Sequence, residues 1–535
     1  MPAPGSIVAP RRWPARLVGL LLATLLAGLA GCAGTLPRVE RTPSQARVAP
    51  PDAPLAALAR ESAPAGPNSA FWPLLQGSFA LDARLAMIEN ARTSLDLQYY
   101  LIADDATGRA IMRALRDAAG RGVKVRLLVD DFYTASTDRL LQGLAATPNI
   151  EVRLFNPVMT VRISPGRRLL AMALDFKRLN HRMHNKMFIA DGVVAVVGGR
   201  NLADEYFLRG TLSNFIDFDV LAAGPIVREL NDWFDVYWNS QAVYPIDAID
   251  QATGDALPPD VVRRYLDEAT ANDAPPAPPV GPDLFGAPAF SVGLARHQVR
   301  FLNAEASSFA DSPRKIDPAN NSIAIDDTLT HRFLLELGNA QSEAVLMSPY
   351  FIPGQEALDR IARLRAQGVR VSVVTNSLGV SDAPLVSVGT DRHQIPLLKM
   401  GVELYELSSN RLKLDHTLQN LFGTTTGRLH AKVSFIDRRF LLVGSMNLDP
   451  RSSLINTEFG MRIDSPTMTR MVLQGLKVDT FQGVYQVELR PDGRGVYWVA
   501  ADPDRPEQLD VDPDTSPWQR ARLLLLSFFV PESQL

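Results

Sequence analysis

Short apolar runs bounded by turn residues recur along this chain, some alternating as strands do and others spaced as one face of a helix. Met187-Phe188-Ile189-Ala190 and Val433-Ser434-Phe435-Ile436 read as strands, and Val193–Val197 and Phe440–Val443 as the return strands of two hairpins. The same succession recurs upstream of each hairpin. Leu95-Asp96-Leu97-Gln98-Tyr99-Tyr100 aligns with Val345-Leu346-Met347-Ser348-Pro349-Tyr350 as a strand, and helical stretches follow at Thr107–Ala119 and Gln355–Ala366. Gly122-Val123-Lys124-Val125-Arg126 and Gly368-Val369-Arg370-Val371 then open a further strand in each half. Strands alternating with helices predict an α/β fold with a largely parallel sheet, and the duplication predicts two homologous halves rather than unrelated domains.

The hairpins carry the candidate chemistry. The first reads His184-Asn185-Lys186, then Asp191, then Gly198-Gly199-Arg200-Asn201; the second reads His430-Ala431-Lys432, Asp437 and Gly444-Ser445-Met446-Asn447. Every spacing inside the motif is preserved, and the copies lie 246 residues apart (430 − 184). The chain has 7 histidines. The other five, His181, His297, His331, His393 and His416, show no ligand-like spacing and read as structural or surface residues. Strand residues two apart share a face, so His184 should project with Lys186, and His430 with Lys432. The small residues ending each return strand would let an anionic ligand approach the backbone. Asp191 and Asp437 fall at the hairpin turns and read either as turn formers or as orienting members of a catalytic site. Two imidazoles, two ammonium groups and two amides (Asn201, Asn447) suffice for one phosphodiester-cleaving centre if the halves meet face to face.

These motifs resemble the signature of the phospholipase D superfamily, HxKxxxxD followed by GG/S and Asn, once per half, over roughly residues 70–480. Finer segments are similar to the bacterial cardiolipin synthases, particularly their C-type branch. They are Arg178-Leu179-Asn180 leading into His181-Arg182-Met183-His184, Gly198-Gly199-Arg200-Asn201-Leu202-Ala203-Asp204-Glu205-Tyr206-Phe207, and the ending Pro531-Glu532-Ser533-Gln534-Leu535. The resemblance implies two phospholipase D-like α/β-sandwich halves related by a pseudo-two-fold axis around one shared active site. It implies that His184 attacks phosphorus to give a phosphohistidine, while His430 serves as acid and base. Lys186, Lys432, Asn201 and Asn447 would bind the non-bridging oxygens. Glu458, in Asn456-Thr457-Glu458, matches the family's carboxylate that fixes a histidine tautomer; Asp217 is its loosely aligned counterpart. No metal and no other cofactor enters this scheme. The implied reaction makes cardiolipin from phosphatidylglycerol and a second phospholipid, with phosphatidylethanolamine as an alternative donor. A hydrolase, either a phospholipase D or a nuclease, would share every catalytic residue, because the partition between water and an alcohol depends on water exclusion. A non-catalytic envelope lipoprotein is the third reading, and the intact motifs in both halves argue against it.

The N-terminus and the charge pattern narrow the setting. Arg11, Arg12 and Arg16 precede the uncharged Leu17–Ala30, which is short for a bilayer span of about 20 residues. Leu29-Ala30-Gly31-Cys32 follows and resembles a bacterial lipoprotein signal, with the chain's single cysteine as the acylation site. That implies a lipid anchor on the periplasmic side of the cell envelope; Ala33 after the cysteine favours the outer membrane. Nucleic acid is not an expected partner, since no broad basic face accompanies a formal net charge of −3. Positive charge is local: Arg162, Arg167, Arg168, Lys177, Arg178, Arg182 and Lys186 surround the apolar run Leu169–Leu174. This stretch reads either as a segment holding the site against anionic head groups or as an ordinary packed helix. The expected organisation is a signal (1–31), a Pro/Ala-rich tether (32–69), a first half (70–250), a linker (251–290), a second half (291–480) and a C-terminal hairpin and helix (481–535). The terminal helix would pack on the core or lie at an interface.

Overall fold

The computed structural model describes residues 36–527, apart from 64–65, 161, 163, 317–324, 415–424, 478–482 and 503–504. The first half supplies strands β1 (Ser69–Leu74), β2 (Ser94–Tyr99), β3 (Lys124–Asp130), β4 (Ile150–Phe155), β5 (Met187–Ala190), β6 (Val194–Gly198), β7 (Ser213–Ile216), β8 (Asp219–Ala223) and β9 (Val243–Pro245). The second half supplies β10 (Leu302–Ala310), β11 (Glu343–Met347), β12 (Arg370–Asn376), β13 (Glu403–Leu407), β14 (Thr426–Leu429), β15 (Val433–Ile436), β16 (Phe440–Gly444) and β17 (Phe459–Asp464). A hairpin, β18 (Val484–Leu489) and β19 (Val496–Ala500), and the short β20 (Gln508–Leu509) complete it.

Strand pairing makes the duplication visible. From one edge the first half runs β9-β4-β3-β2-β5-β6-β8-β1. β1 pairs antiparallel with β10, and the second half continues β17-β16-β15-β11-β12-β13-β18-β19-β20. The result is one 18-stranded sheet with the pseudo-two-fold axis between β1 and β10. The expectation of a largely parallel sheet needs correction. Within this sheet only β2-β3-β4 and β11-β12-β13 are parallel; helices Ala106–Gly120 and Gln355–Ala366 supply the β2–β3 and β11–β12 crossovers that parallel pairing requires. The strand alignment is also off by one. Leu95 pairs with Ala190, and Ala344 with Ile436, so Leu95 is equivalent to Ala344 rather than Val345. A slip of one residue exchanges the two faces of a strand, so this difference matters for packing.

The inner faces of both half-sheets share one core, in which Met187, Ile189 and Val197 join Val433, Phe435 and Val443. Helices cover the outer faces. Ala80, Ala83 and Met87 of helix Gly77–Asn90 pack with Leu97, Phe188 and Val196 in the first half. Leu329 and Phe333 of helix Leu329–Gly338 pack with Leu346 and Ile436 in the second.

Two expectations about the flanks change and one holds. Residues 36–62 are no free tether: Arg41 donates to the Val243 carbonyl, Ala46 N–H to Asp235 and Ala49 N–H to the Asp191 carbonyl, and a helix follows over Pro54–Ser62. The expected C-terminal hairpin is present, β18 with β19, and it extends the second half's sheet through β13. The basic segment turns three of its arginines inward, while Arg167 and Lys177 stay exposed. Arg162 and Arg168 are buried against Asp131 and Asp138, and Arg182 against Asp130. Within helix Pro165–Leu174, Leu169, Leu170 and Leu174 are exposed too. The terminal helix Pro517–Ser527 buries Leu523 and exposes Trp518 and Leu525. Cys32, His416 and the last eight residues lie outside the described residues, among which no helix is long and apolar enough to cross a membrane.

Candidate active site

Each histidine sits just ahead of its strand, in an extended segment stitched to the opposite half. His184 N–H donates to the Thr457 carbonyl at 2.9 Å, and His430 N–H donates to the Ile216 carbonyl at 2.8 Å. The next residue along each accepting segment is a carboxylate, Glu458 and Asp217 respectively. The rings use them reciprocally: His184 Nδ1 lies 3.0 Å from Glu458 Oε2, and His430 Nδ1 lies 2.6 Å from Asp217 Oδ2. The parallel pair β7–β14 holds Ile216 opposite Leu429, so Asp217 and His430 leave the same rung. Asp217 is thus the counterpart of Glu458. Sequence alignment was loose there because the loops before the two carboxylates differ in length.

This geometry fixes the tautomers. His184 Nδ1 faces two acceptors, the Glu458 carboxylate and the Ser445 carbonyl at 3.0 Å, so Nδ1 carries the proton. In the neutral ring Nε2 then keeps its lone pair. Burial pulls His184 down to about 4 despite the attraction of Glu458, so the neutral form dominates at pH 7. Burial and the Lys432 ammonium likewise lower His430, against Asp217. Burial would raise both carboxylates, yet their imidazole and lysine neighbours prevail, holding Asp217 at about 2 and Glu458 below the usual range.

Lys186 and Lys432 are buried, and each donates to the backbone carbonyl of the histidine two residues before it. Burial outweighs the attraction of nearby carboxylates, pulling Lys186 down to about 7 and Lys432 to about 8. The lysines repel each other across the halves, so both serve one centre. Asn201 donates to the Tyr206 hydroxyl at 2.8 Å, and Asn447 N–H donates to Ser452 Oγ at 3.1 Å. The buried Oδ1 atoms of Asn201 and Asn447 both lack a hydrogen-bond partner, at equivalent places in the two halves. Buried polar atoms rarely go unpaired, so both amide oxygens are open to a partner.

Several site residues carried no recognised signal in the sequence. Tyr100 packs edge-on against His184, with ring centroids 5.0 Å apart, and Tyr206 does the same to His430 at 5.1 Å. A Cβ on Gly199 would lie 2.1 Å from Asp217 Oδ1, so only glycine fits there. Ser445, its counterpart, donates its hydroxyl to Glu458, and Ser452 donates to Glu458 Oε1 at 2.9 Å. Arg200 donates to the carbonyls of Leu74, Leu75, Tyr206 and Asp217, clamping the Asp217 loop. Gly199, Arg200 and Ser445 stand inside the two motifs, which is the hint the sequence offers to them; Tyr100 and Ser452 have none.

Asp191 and Asp437 are not brought to the histidines. Asp191 accepts from the N–H groups of Arg92, Thr93 and Ser94, and Asp437 from those of Gln341, Ser342 and Glu343. Both adopt positive φ, 55° and 53°, at the hairpin turns, where aspartate is tolerated. Their geometry is that of turn formers that lock each hairpin to the next strand. Among the described residues, no group of three His, Cys, Asp or Glu is placed to hold a metal ion.

Two half-sites, each completed by the other's carboxylate, define a phosphodiester-transfer fold of the phospholipase D-like class. The family profile described as "Cardiolipin synthase, PLD-like domain" matches residues 85–238 and 333–478, and the chain belongs to that family. Cardiolipin synthase C of Escherichia coli (strain K12) is 35% identical over 475 residues, spanning 86% of this chain and 95% of the relative. Cardiolipin synthase 1 of Staphylococcus aureus (strain MRSA252) is 25% identical over 389 residues, spanning 72% of this chain and 62% of the relative. The crystal structure of phosphatidylserine synthase from Haemophilus influenzae Rd KW20 shares the fold, with a TM-score of 0.52 at 14% identity, covering 78% of this chain and 87% of that one.

Proposed function

We propose that this protein is a phosphatidyltransferase that makes cardiolipin from phosphatidylglycerol and a second phospholipid, held at the envelope membrane by acylated Cys32. The observation that carries the reading is the reciprocal pairing of His184 with Glu458 and His430 with Asp217. A neutral imidazole presenting Nε2 is a nucleophile, and His184 takes that role. Its Nε2 attacks phosphorus, and the P–O bond to the donor's head-group alcohol breaks. His430, protonated on Nε2, gives its proton to the departing oxygen. An anionic phosphodiester between the lysines offsets their repulsion and favours the protonated form of His430. Lys186, Lys432 and the amides of Asn201 and Asn447 hold the non-bridging oxygens as charge builds on them. In the second step His430 takes the proton from the glycerol hydroxyl of phosphatidylglycerol. That oxygen attacks phosphorus and displaces His184, giving cardiolipin. If phosphatidylglycerol is also the donor, the released alcohol is glycerol.

The name of the Escherichia coli relative supports this acceptor class, and the three segments similar to its branch support the choice of transfer over hydrolysis. The test is lipid analysis in a bacterial strain lacking its own cardiolipin synthases. Cardiolipin should accumulate with the intact chain and not with His184→Ala or His430→Ala. Phosphatidic acid as the sole product would establish a hydrolase instead.

A further inference from the structure

We propose that the outer layer of the second half is a binding site for an acyl chain of the phospholipid substrate. A cavity of about 410 Å³ lies between helix Leu329–Gly338 and the outward face of β15, β16 and β17. Its walls are mostly apolar, with Leu329, Phe333, Leu442 and Met461 among them. Motif residues Lys432 and Gly444 also line it, whereas the ion pair of Glu336 with Arg462 (3.0 Å) and Arg332 stand at the solvent side.

The first half serves as an internal control. Strand registers make Phe188, Val196 and Leu221 the equivalents of Ser434, Leu442 and Arg462, and Asp219 the equivalent of Gly460. In the first half this layer is solid. Phe188 and Val196 are fully buried, and Asp219 pairs at 2.9 Å with Arg84, which rises from the covering helix. In the second half a serine replaces the phenyl ring and a glycine replaces the paired carboxylate; Leu329 closes over Gly460, its Cδ1 2.9 Å from where a Cβ would lie, and the cavity remains beside Ser434. Protein interiors pack with few voids larger than a water molecule, so a hollow of this size at substituted positions has been shaped rather than left over. Its volume falls in the range of small-molecule sites, about 300–1,000 Å³. An apolar hollow stays dry when empty and takes apolar ligands. One wall is shared with the phosphate-holding motif, so a ligand with an apolar chain joined to a phosphodiester matches it from end to end.

This inference rests on the phospholipid reading of the site, and two measurements separate their failures. The first uses phosphatidylglycerol carrying a diazirine at the tip of one acyl chain, photolysed with the full-length protein in mixed micelles and mapped by peptide mass spectrometry. Adducts should fall within residues 329–336 and 442–462. The second compares Ser434→Phe, which restores the first half's residue, and the milder Ser434→Leu on long-chain and dihexanoyl phosphatidylglycerol, with melting temperature as the folding control. Losing burial of about two methylenes should cut kcat/KM on the long-chain lipid roughly tenfold while leaving the short-chain lipid within about twofold. Adducts elsewhere, or an unchanged long-to-short ratio in folded Ser434→Leu, would overturn the proposal. Adducts in this layer from a protein that makes no cardiolipin would sustain the chain site and overturn the reaction.

Discussion

The two halves are alike at their imidazoles and lysines and unlike in the groups that support them. Both present an imidazole, a buried lysine and an amide with a free oxygen, and both borrow the carboxylate for their histidine from the other side. The supports diverge. Asp217 meets His430 from a loop clamped by Arg200, whereas Glu458 is shared among His184, Ser445 and Ser452. β7 and β14 pair over four residues beside Asp217, while an isolated Met183–Thr457 bridge does the same work beside Glu458. The outer layers diverge most, one solid and one hollow. Duplication has kept the reacting groups in step and has left tuning and substrate accommodation free to differ.

That comparison breaks most readily at the histidines. His184→Ala and His430→Ala should each lower kcat by about 10⁴-fold or more, and the double variant should be no worse than either, because the two rings act as one unit. Two independent half-sites would instead leave about half the activity in each single variant. The next effect is at the carboxylates. Glu458→Gln and Asp217→Asn should each cost about 10²- to 10³-fold in kcat with little change in KM, since an amide cannot hold the same tautomer. A loss in only one of the pair would show that one half does the chemistry alone.

The hairpin aspartates give a smaller, purely structural contrast. Asp191→Ala removes an acceptor that is wholly buried and serves three N–H groups, and should destabilise the protein by about 2–3 kcal/mol. Asp437→Ala, at the half-buried counterpart, should cost about 1 kcal/mol. Denaturant titration measures both, and the folded remainder should keep its kcat.

The pH dependence sharpens the comparison last. kcat/KM should rise as His184 loses its proton through about 4, fall first as His430, lowered from its ordinary value by burial and Lys432, loses the proton it must deliver, and fall further as Lys186 and Lys432 lose theirs, through about 7 and about 8. Both lysines have folded-state values below their ordinary ones, so their charge is present at low pH and lost as pH rises. Lys186→Arg should therefore remove the part of the alkaline fall near 7 and leave the parts belonging to His430 and Lys432.

Much of this was legible in the chain because the motif is local. Strands β5 and β15, their return strands and both crossover helices lie within a residue or two of where periodicity placed them. Lys186 lies with His184 and Lys432 with His430, as strand spacing implied, and Glu458 meets His184, as the family resemblance implied. What was hidden depended on contacts across the halves or on burial. Asp217 sits behind loops of unequal length, so only the β7–β14 pairing reveals its role. Arg162, Arg168 and Arg182 look like a basic surface in one dimension, yet each is neutralised by aspartates distant in sequence. The extended stretch before Pro54 reads as a linker by composition, although its backbone is tied down by Asp235 and Asp191. The hollow beside Leu329 follows from replacements at Phe188 and Asp219 that no single-sequence pattern flags.

The central claim is that the halves share one reacting centre with a single nucleophile. The most direct measurement is the stoichiometry and position of the covalent intermediate, trapped by alkaline quench during turnover of radiolabelled phosphatidylglycerol and mapped by peptide mass spectrometry. One phosphatidyl group per chain, on His184 alone and absent from His184→Ala, is the predicted result. Two groups per chain, or adducts divided between His184 and His430, would contradict it.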